Sequence, residues 1–138
     1  MDLDKLTKPF GNKDPSGIDL RVNDDYRTKY YEVKDARNKA RAIERKILSG
    51  ESEGDPLQWW LIVDEVGSDL LMNQTKDLEI ASWLTEAWFR RYGFNGLQQG
   101  FTLLFKLLKK FSDSVYPLPD EDGIETRLAS LVGLNGSD

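Results

Sequence analysis

The sequence predicts an all-α fold: a compact bundle of about five helices with an extended N-terminal arm. Apolar residues recur at spacings of three and four in five stretches, and no stretch shows the strict apolar-polar alternation of a half-buried strand. Glycine, proline and asparagine cluster between these stretches, as is typical of connections. We therefore expect residues 1–138 to form one domain, with the arm at 1–23 and a helical core at 24–136.

The arm is predicted to be extended or to form an ordered loop, because prolines at 9 and 15 and glycines at 11 and 17 interrupt any regular period. Ile18 and Leu20 are its candidate anchors to the core. From Asp24 the pattern becomes helical and should end near Ser49-Gly50. Its apolar stripe consists of Tyr26, Tyr30, Val33, Ala36, Ala40, Ile43 and Ile47.

The opposite face of this first long helix is rich in cations. They are Lys34, Arg37, Lys39, Arg41, Arg45 and Lys46, interleaved with Glu32, Asp35 and Glu44. A phosphate-binding stripe is one interpretation and a solvated face is the other. The interleaved acids and the net charge of -5 favour the solvated face.

The next helix should start at Asp55-Pro56 and run through Met72, because proline is tolerated in a first turn. Its apolar stripe holds Trp59, Ile62, Val63, Val66, Leu70 and Leu71, with Trp60 just off the seam. For the third helix, Thr75 is the predicted N-cap. Arg90 and Arg91 suit its last turn, and Gly93 suits the left-handed position that follows a helix.

After the loop GFNG, a helix is predicted at roughly 97–112. Its apolar face is expected to consist of Leu97, Phe101, Leu104, Phe105, Leu108 and Phe111. The stretch VYPLPDEDG then breaks the chain, and a final helix should start near Ile124 and stop at Gly133 to Gly136. Asp120 or Asp122 is expected to cap that last helix.

Composition excludes much of ordinary catalysis. The chain has no cysteine and no histidine, which removes disulfides, thiolate nucleophiles, imidazole bases and most zinc or copper sites. The negative net charge disfavours nucleic acid and anionic lipid as partners. No apolar run reaches the roughly 18 residues of a membrane span, and the first residues lack the apolar core of a signal peptide. We expect a cytoplasmic protein without membrane insertion.

Acidic clusters are the remaining candidates for chemistry. A small acid- or metal-dependent hydrolase using Asp120 and Asp122 is the alternative function. Placing Gly123 at the sixth position of an EF-hand calcium loop puts Leu118 and Ala129 at the first and last ligand positions, so that pattern fails. We therefore expect no metal and no cofactor. Most aromatic residues lie on buried stripes, which leaves Trp60, Trp83 and Tyr92 as candidate partner contacts.

Several segments, in order, resemble the ImpA-type N-terminal domain of the TssA proteins of bacterial type VI secretion systems. The most specific are Thr-Lys-Asp-Leu at 75–78 with Gly-X-X-Gly-Leu at 93–97, and Tyr-Pro-X-Pro-Asp-X-Asp-Gly at 116–123 followed by Arg127. The resemblance covers nearly the whole chain. The motif residues are Lys76, Asp77, Leu78, Gly93, Tyr116, Pro117, Asp120, Asp122, Gly123 and Arg127, all expected to serve the fold.

The resemblance implies a non-enzymatic assembly protein with no catalytic residue to carry over. Such a domain would dock onto other secretion components, such as the baseplate, the sheath and tube, or the membrane complex. It also implies a longer protein, in which regions beyond this chain oligomerise into a ring. The chain is thus expected to be a fragment that binds protein and not nucleic acid.

Overall fold

The computed structural model describes residues 1–51, 54–120, 123, 125–132 and 134, and this part of the chain forms five α-helices without a strand. The helices are α1 (Leu3–Leu6), α2 (Arg27–Leu48), α3 (Leu57–Asn73), α4 (Leu78–Lys110) and α5 (Glu125–Val132). They share one apolar core, to which all helices from α1 to α4 contribute buried side chains and against which Leu131 of α5 packs. The predicted all-α bundle is confirmed.

The N-terminal arm is ordered, as one of the two predictions had it, but it also contains a short helix that the sequence did not predict. This helix, α1, begins where the Asp2 side chain accepts a hydrogen bond from the Lys5 amide. Leu20 is fully buried, and Ile18 packs against the core and donates its amide to the Gln74 carbonyl at 3.0 Å. The two expected anchors therefore hold the arm on the bundle.

The boundaries of α2 and α3 agree with the sequence pattern. α2 ends at Leu48, followed by Gly50 with a positive φ of 78°. α3 begins directly after Pro56, and the Asp55 carboxylate accepts the Leu57 amide at 3.0 Å. The end of α2 and the start of α3 thus lie next to the glycine and the proline that predicted them.

The α2 face that was expected to be solvated is partly an interface. Arg37 is buried, and its guanidinium donates to the Glu86 carboxylate of α4 at 3.1 and 3.3 Å. Glu44 of α2 receives two 3.0 Å hydrogen bonds from Arg90 of α4. These charged side chains therefore pair across the interface between α2 and α4. The prediction of a solvated face is wrong for Arg37, which is buried.

α4 is a helical hairpin and not one straight rod. Gly93 has φ 67° and ψ -146°, values outside the helical region. A Cβ on Gly100 would lie 2.3 Å from a Thr85 methyl carbon, whereas a straight helix would separate these residues by about 22 Å. The chain therefore reverses at Gly93, the predicted end of a helix. Where the sequence predicted a GFNG loop, the non-helical backbone is found at Gly93. We call residues 78–92 the first segment of α4 and residues 94–110 the second segment.

The buried face of the second segment agrees in part with the predicted one: Leu104 and Phe111 are buried and Leu108 packs against the core. Gly96, Gly100, Leu103, Leu104, Leu107 and Phe111 are buried on or directly after the segment. Phe101 and Phe105, which were predicted to be buried, are 51% and 63% exposed. The inner face starts with Gly96 and Gly100, whose lack of a side chain lets the two segments of the hairpin touch. The sequence pattern of apolar side chains did not include these glycines.

Candidate functional site

Lys76 precedes α4 and is a cation without surface exposure. Its ammonium donates to the Leu6 carbonyl at 2.9 Å and to the Leu71 carbonyl at 2.5 Å. The Phe10 ring centroid lies 4.2 Å from the same nitrogen. Burial, followed by the charge of nearby Lys110, lowers the pKa of Lys76 to about 8. The side chain links the arm to the end of α3.

Asp77 begins α4 and is also fully buried. One carboxylate oxygen accepts the amides of Glu79 and Ile80 at 2.9 and 3.1 Å, which makes Asp77 the N-cap. Arg21 of the arm donates to both oxygens, at 2.7 and 3.2 Å. The predicted cap Thr75 is wrong: its hydroxyl finds no hydrogen-bond partner within the described residues.

Tyr116 holds the same junction from the other side. Its amide donates to the Lys76 carbonyl at 2.9 Å, and its carbonyl accepts the Leu78 amide at 2.7 Å. Leu78 is fully buried, and the peptide bond from Tyr116 to Pro117 is cis. Two motifs that are far apart in the sequence, at 75–78 and at 116–123, thus meet through a short backbone bridge.

Arg127 of α5 organises the segment that follows α4. Its guanidinium donates to three carbonyls, those of Ser112, Val115 and Pro117, at 2.9, 2.9 and 3.0 Å. The side chain is buried, so these carbonyls replace water as its acceptors. We define the polar junction as Lys76, Asp77, Tyr116 and Arg127. Its charged and polar groups point at internal partners.

The acidic turn carries no sign of a metal site among the residues described. Asp120 is exposed, and its backbone exchanges hydrogen bonds with Gly123, which has a φ of 86°. Asp122 lies outside the described residues, so its predicted cap is not described. No group of three or more metal-ligating side chains forms in the described part of the chain. The hydrolase alternative through Asp120 and Asp122 finds no support here.

The three aromatic residues proposed as partner contacts have different environments. Trp60 is fully buried, donates to the Glu44 carboxylate at 2.9 Å, and stacks under the Arg90 guanidinium at 4.5 Å. Trp83 is 8% exposed and packs against Tyr30 at 5.8 Å between ring centroids. Both are therefore removed from the candidate surface. Tyr92 is 43% exposed and remains a candidate.

A different set of aromatic residues forms an exposed apolar surface. Phe94 is 80% exposed, and with Phe101 and Phe105 it lines a groove of about 450 Å³ on the second segment of α4. Leu97, Gln98 and Thr102 complete the lining. We call Phe94, Leu97, Phe101 and Phe105 the aromatic stripe. Large rings aligned in this way on a surface are typical of sites that bind another protein.

The sequence contained a signal for this stripe. The second segment carries Phe94, Phe101 and Phe105 in addition to Leu103, Leu104 and Leu107, which is more than one helix face can bury. Two apolar faces predict either a fully buried helix or one unpartnered surface. Only the position of the hairpin glycines decides which face turns inward.

Together the fold and these surfaces define an all-α domain with an internally satisfied polar junction and an exposed aromatic stripe. A family described as "ImpA, N-terminal, type VI secretion system" matches residues 7–136. The chain therefore belongs to the ImpA N-terminal family of the type VI secretion system, as its motifs indicated.

One solved structure gives the same assignment. It is the N-terminal domain, including the conserved ImpA region, of the TssA component of the type VI secretion system from Burkholderia cenocepacia. The two chains are 34% identical with a TM-score of 0.76, and the match covers 98% of this chain and 47% of that one. This chain thus spans about half the length of that solved chain. No curated protein matches the sequence.

Within the described part of the chain, no helix is long and apolar enough to cross a membrane.

Proposed function

We propose that the chain is a non-enzymatic docking module of a TssA-like protein, and that it contacts another type VI secretion component in the cytoplasm. Baseplate, sheath and tube, and membrane-complex proteins are the candidate partners. Family membership and the similarity to the TssA N-terminal domain support a role in type VI secretion. The observation that best supports docking is the aromatic stripe, which exposes large apolar side chains to water along one helical segment.

In this proposal the motif residues maintain the fold and do not themselves bind a partner. Lys76, Asp77 and Arg127 direct their charges to carbonyls, amides and one arginine of the same domain. A partner could reach these groups only by opening the domain. The proposal therefore assigns the polar junction to stability and the aromatic stripe to recognition.

The composition leaves few groups for catalysis. Without histidine or cysteine, a reaction would need carboxylates, lysines or hydroxyls. Lys76 has the lowered pKa that often marks a functional amine, but it has no exposure through which a substrate could approach. Its burial between two carbonyls supports a structural role.

Affinity capture tests the proposal. The tagged chain is incubated with lysates of two otherwise identical bacterial strains, one with an active type VI cluster and one with the cluster deleted. We expect secretion components to be recovered only from the first lysate. Recovery of the same proteins from both lysates, or of no secretion component, would contradict docking.

A further inference from the structure

We propose that the aromatic stripe binds an amphipathic helix of another secretion component, whose apolar face covers Phe94, Phe101 and Phe105 and whose carboxylates face Lys106 and Lys109. The inference rests on the proposed docking function and names the surface and the chemistry of the partner. It concerns the exposed side of α4, separate from the polar junction.

The spacing of the stripe suits a helical partner. Phe94, Gln98, Phe101 and Phe105 follow one another at intervals of four, three and four, so they form a row along the second segment. Beside this row lies the groove of about 450 Å³, with Thr102 in its lining. An apolar helix face inserts its side chains at the same intervals, which is the geometry of helix-in-groove recognition.

The charge near the stripe predicts an acidic partner. Residues 87–112 contain no Asp or Glu, although the chain as a whole has a net charge of -5. Arg90 and Arg91 at one end already pair with Glu44 and Asp64 of the domain.

The two lysines at the other end of the stripe are less neutralised. Among the described carboxylates Lys106 pairs with Asp4, at 3.8 Å, and that carboxylate is itself almost fully exposed. Lys109 pairs with no described carboxylate and lies 5.8 Å from the Phe105 ring centroid. Carboxylates on the partner would meet positive charge there that the domain neutralises only weakly.

A second copy of the chain and a membrane fit the stripe less well. The exposed faces of its three phenylalanines amount to on the order of 400 Å², about half of what each partner contributes to a stable protein interface. A transient complex with a single helix requires no larger surface. An anionic bilayer could approach the two lysines but, unlike a single helix, would also bring its charge close to the acidic remainder of the domain, whose net charge is -5.

The test uses two designed amphipathic helical peptides with the same leucine face, one flanked by glutamates and one by lysines. We expect the glutamate peptide to bind the chain about tenfold more tightly by calorimetric titration at low salt. Phe101→Ser with Phe105→Ser should weaken this binding about thirtyfold, as expected for aromatic anchors. Lys106→Gln with Lys109→Gln should remove the preference for the glutamate peptide.

The matched control is Leu48→Ser, since Leu48 is also apolar, is more exposed than Phe101 and Phe105, and lies at the end of α2. It should bind like the parent chain. Melting curves check that the serine variants fold, and single Phe101→Ser and Phe105→Ser variants replace the double variant if it does not.

Equal affinity for both peptides, or binding that survives the serine substitutions, would overturn the proposal. A stripe-dependent dimer in sedimentation, or stripe-dependent binding to phosphatidylserine vesicles, would instead assign the surface to a second copy or to a membrane. Purified secretion components are titrated in parallel. A component that binds parent and serine variants equally refutes the stripe but leaves docking intact. Peptide binding without binding of any component refutes docking, and with it the secretion component as the source of the helix, but leaves the preference of the stripe for an acidic helix.

Discussion

At the scale of single residues, Lys76 makes stability depend on pH. Its folded pKa of about 8 lies below the ordinary lysine value of about 10.4. Between these values the unfolded chain holds a proton that the folded chain has released, so the free energy of unfolding rises with pH, by about 1 kcal/mol per pH unit. Lys76→Met should lose this slope. Urea unfolding of both chains across this window measures it.

The difference between the two chains is the informative quantity, because the titration of other lysines and tyrosines is common to both. Identical pH slopes for the parent chain and Lys76→Met would show that the ammonium keeps its proton when buried.

Asp77 allows capping to be separated from ion pairing. Asp77→Asn keeps an oxygen for the amides of Glu79 and Ile80 but loses the charge that faces Arg21. We expect a loss of about 2 kcal/mol, less than for a fully buried pair because Arg21 is partly exposed. Asp77→Ala should lose about 1 kcal/mol more, through the cap.

Chemical denaturation of both Asp77 variants measures these losses. Asp113→Asn serves as the control, since this exposed acid should change stability by less than about 0.5 kcal/mol. If Asp77→Asn proves as stable as the control, the pair with Arg21 contributes nothing.

The same residues show what the sequence could predict locally. The motif at 75–78 was correctly placed at a helix start, but the cap was assigned to Thr75. Both residue types cap helices, and the choice depends on long-range contacts: Ser16 and Tyr116 hold the Lys76 backbone outside the helix. Arg21 pairs with Asp77 across 56 positions of sequence, and no local pattern announces such a partner.

At the scale of elements, the hairpin in α4 depends on close contact between its two segments. Gly100→Ala would place a methyl group 2.3 Å from a Thr85 methyl carbon, so the segments must separate. We expect a loss of about 2 kcal/mol, as for overpacking in a core. A melting temperature equal to that of the parent chain would show that the hairpin accommodates the methyl group.

Gly67→Ala is the matched control, because Gly67 is also a helical glycine but would meet its nearest side chain at an ordinary 3.6 Å. Helix propensity then favours alanine by up to about 1 kcal/mol. The two substitutions should therefore shift thermal unfolding in opposite directions.

Element boundaries were easier to predict than element faces. Gly93 and Gly50 mark chain reversals through their own backbone preferences, and both were found in sequence. The buried face of the second segment was found only in part: Leu104 and Phe111 were assigned to it correctly, but Gly96 and Gly100 mark the rest of it by having no side chain. That error concealed the aromatic stripe, since Phe101 and Phe105 were assigned to the core.

At the scale of the whole molecule, the arm is part of the core and not an appendage. Leu20 is fully buried, so Leu20→Ala should lower the free energy of unfolding by about 3 kcal/mol through lost burial and a cavity. Val22, two residues further, is 73% exposed, and Val22→Ala should change stability by less than about 0.5 kcal/mol. Thermal unfolding followed by circular dichroism distinguishes the two.

Removal of residues 1–22 extends the same argument to the whole arm. The shortened chain would lose Leu6 and Leu20 from the core, the Leu6 carbonyl from Lys76 and the guanidinium of Arg21 from Asp77. A buried ammonium and a buried carboxylate would then lack partners, which costs more than the lost apolar contacts alone. We expect this chain to lose cooperative unfolding. A sharp transition near the parent melting temperature would instead mean that the helices from α2 onward fold without the arm.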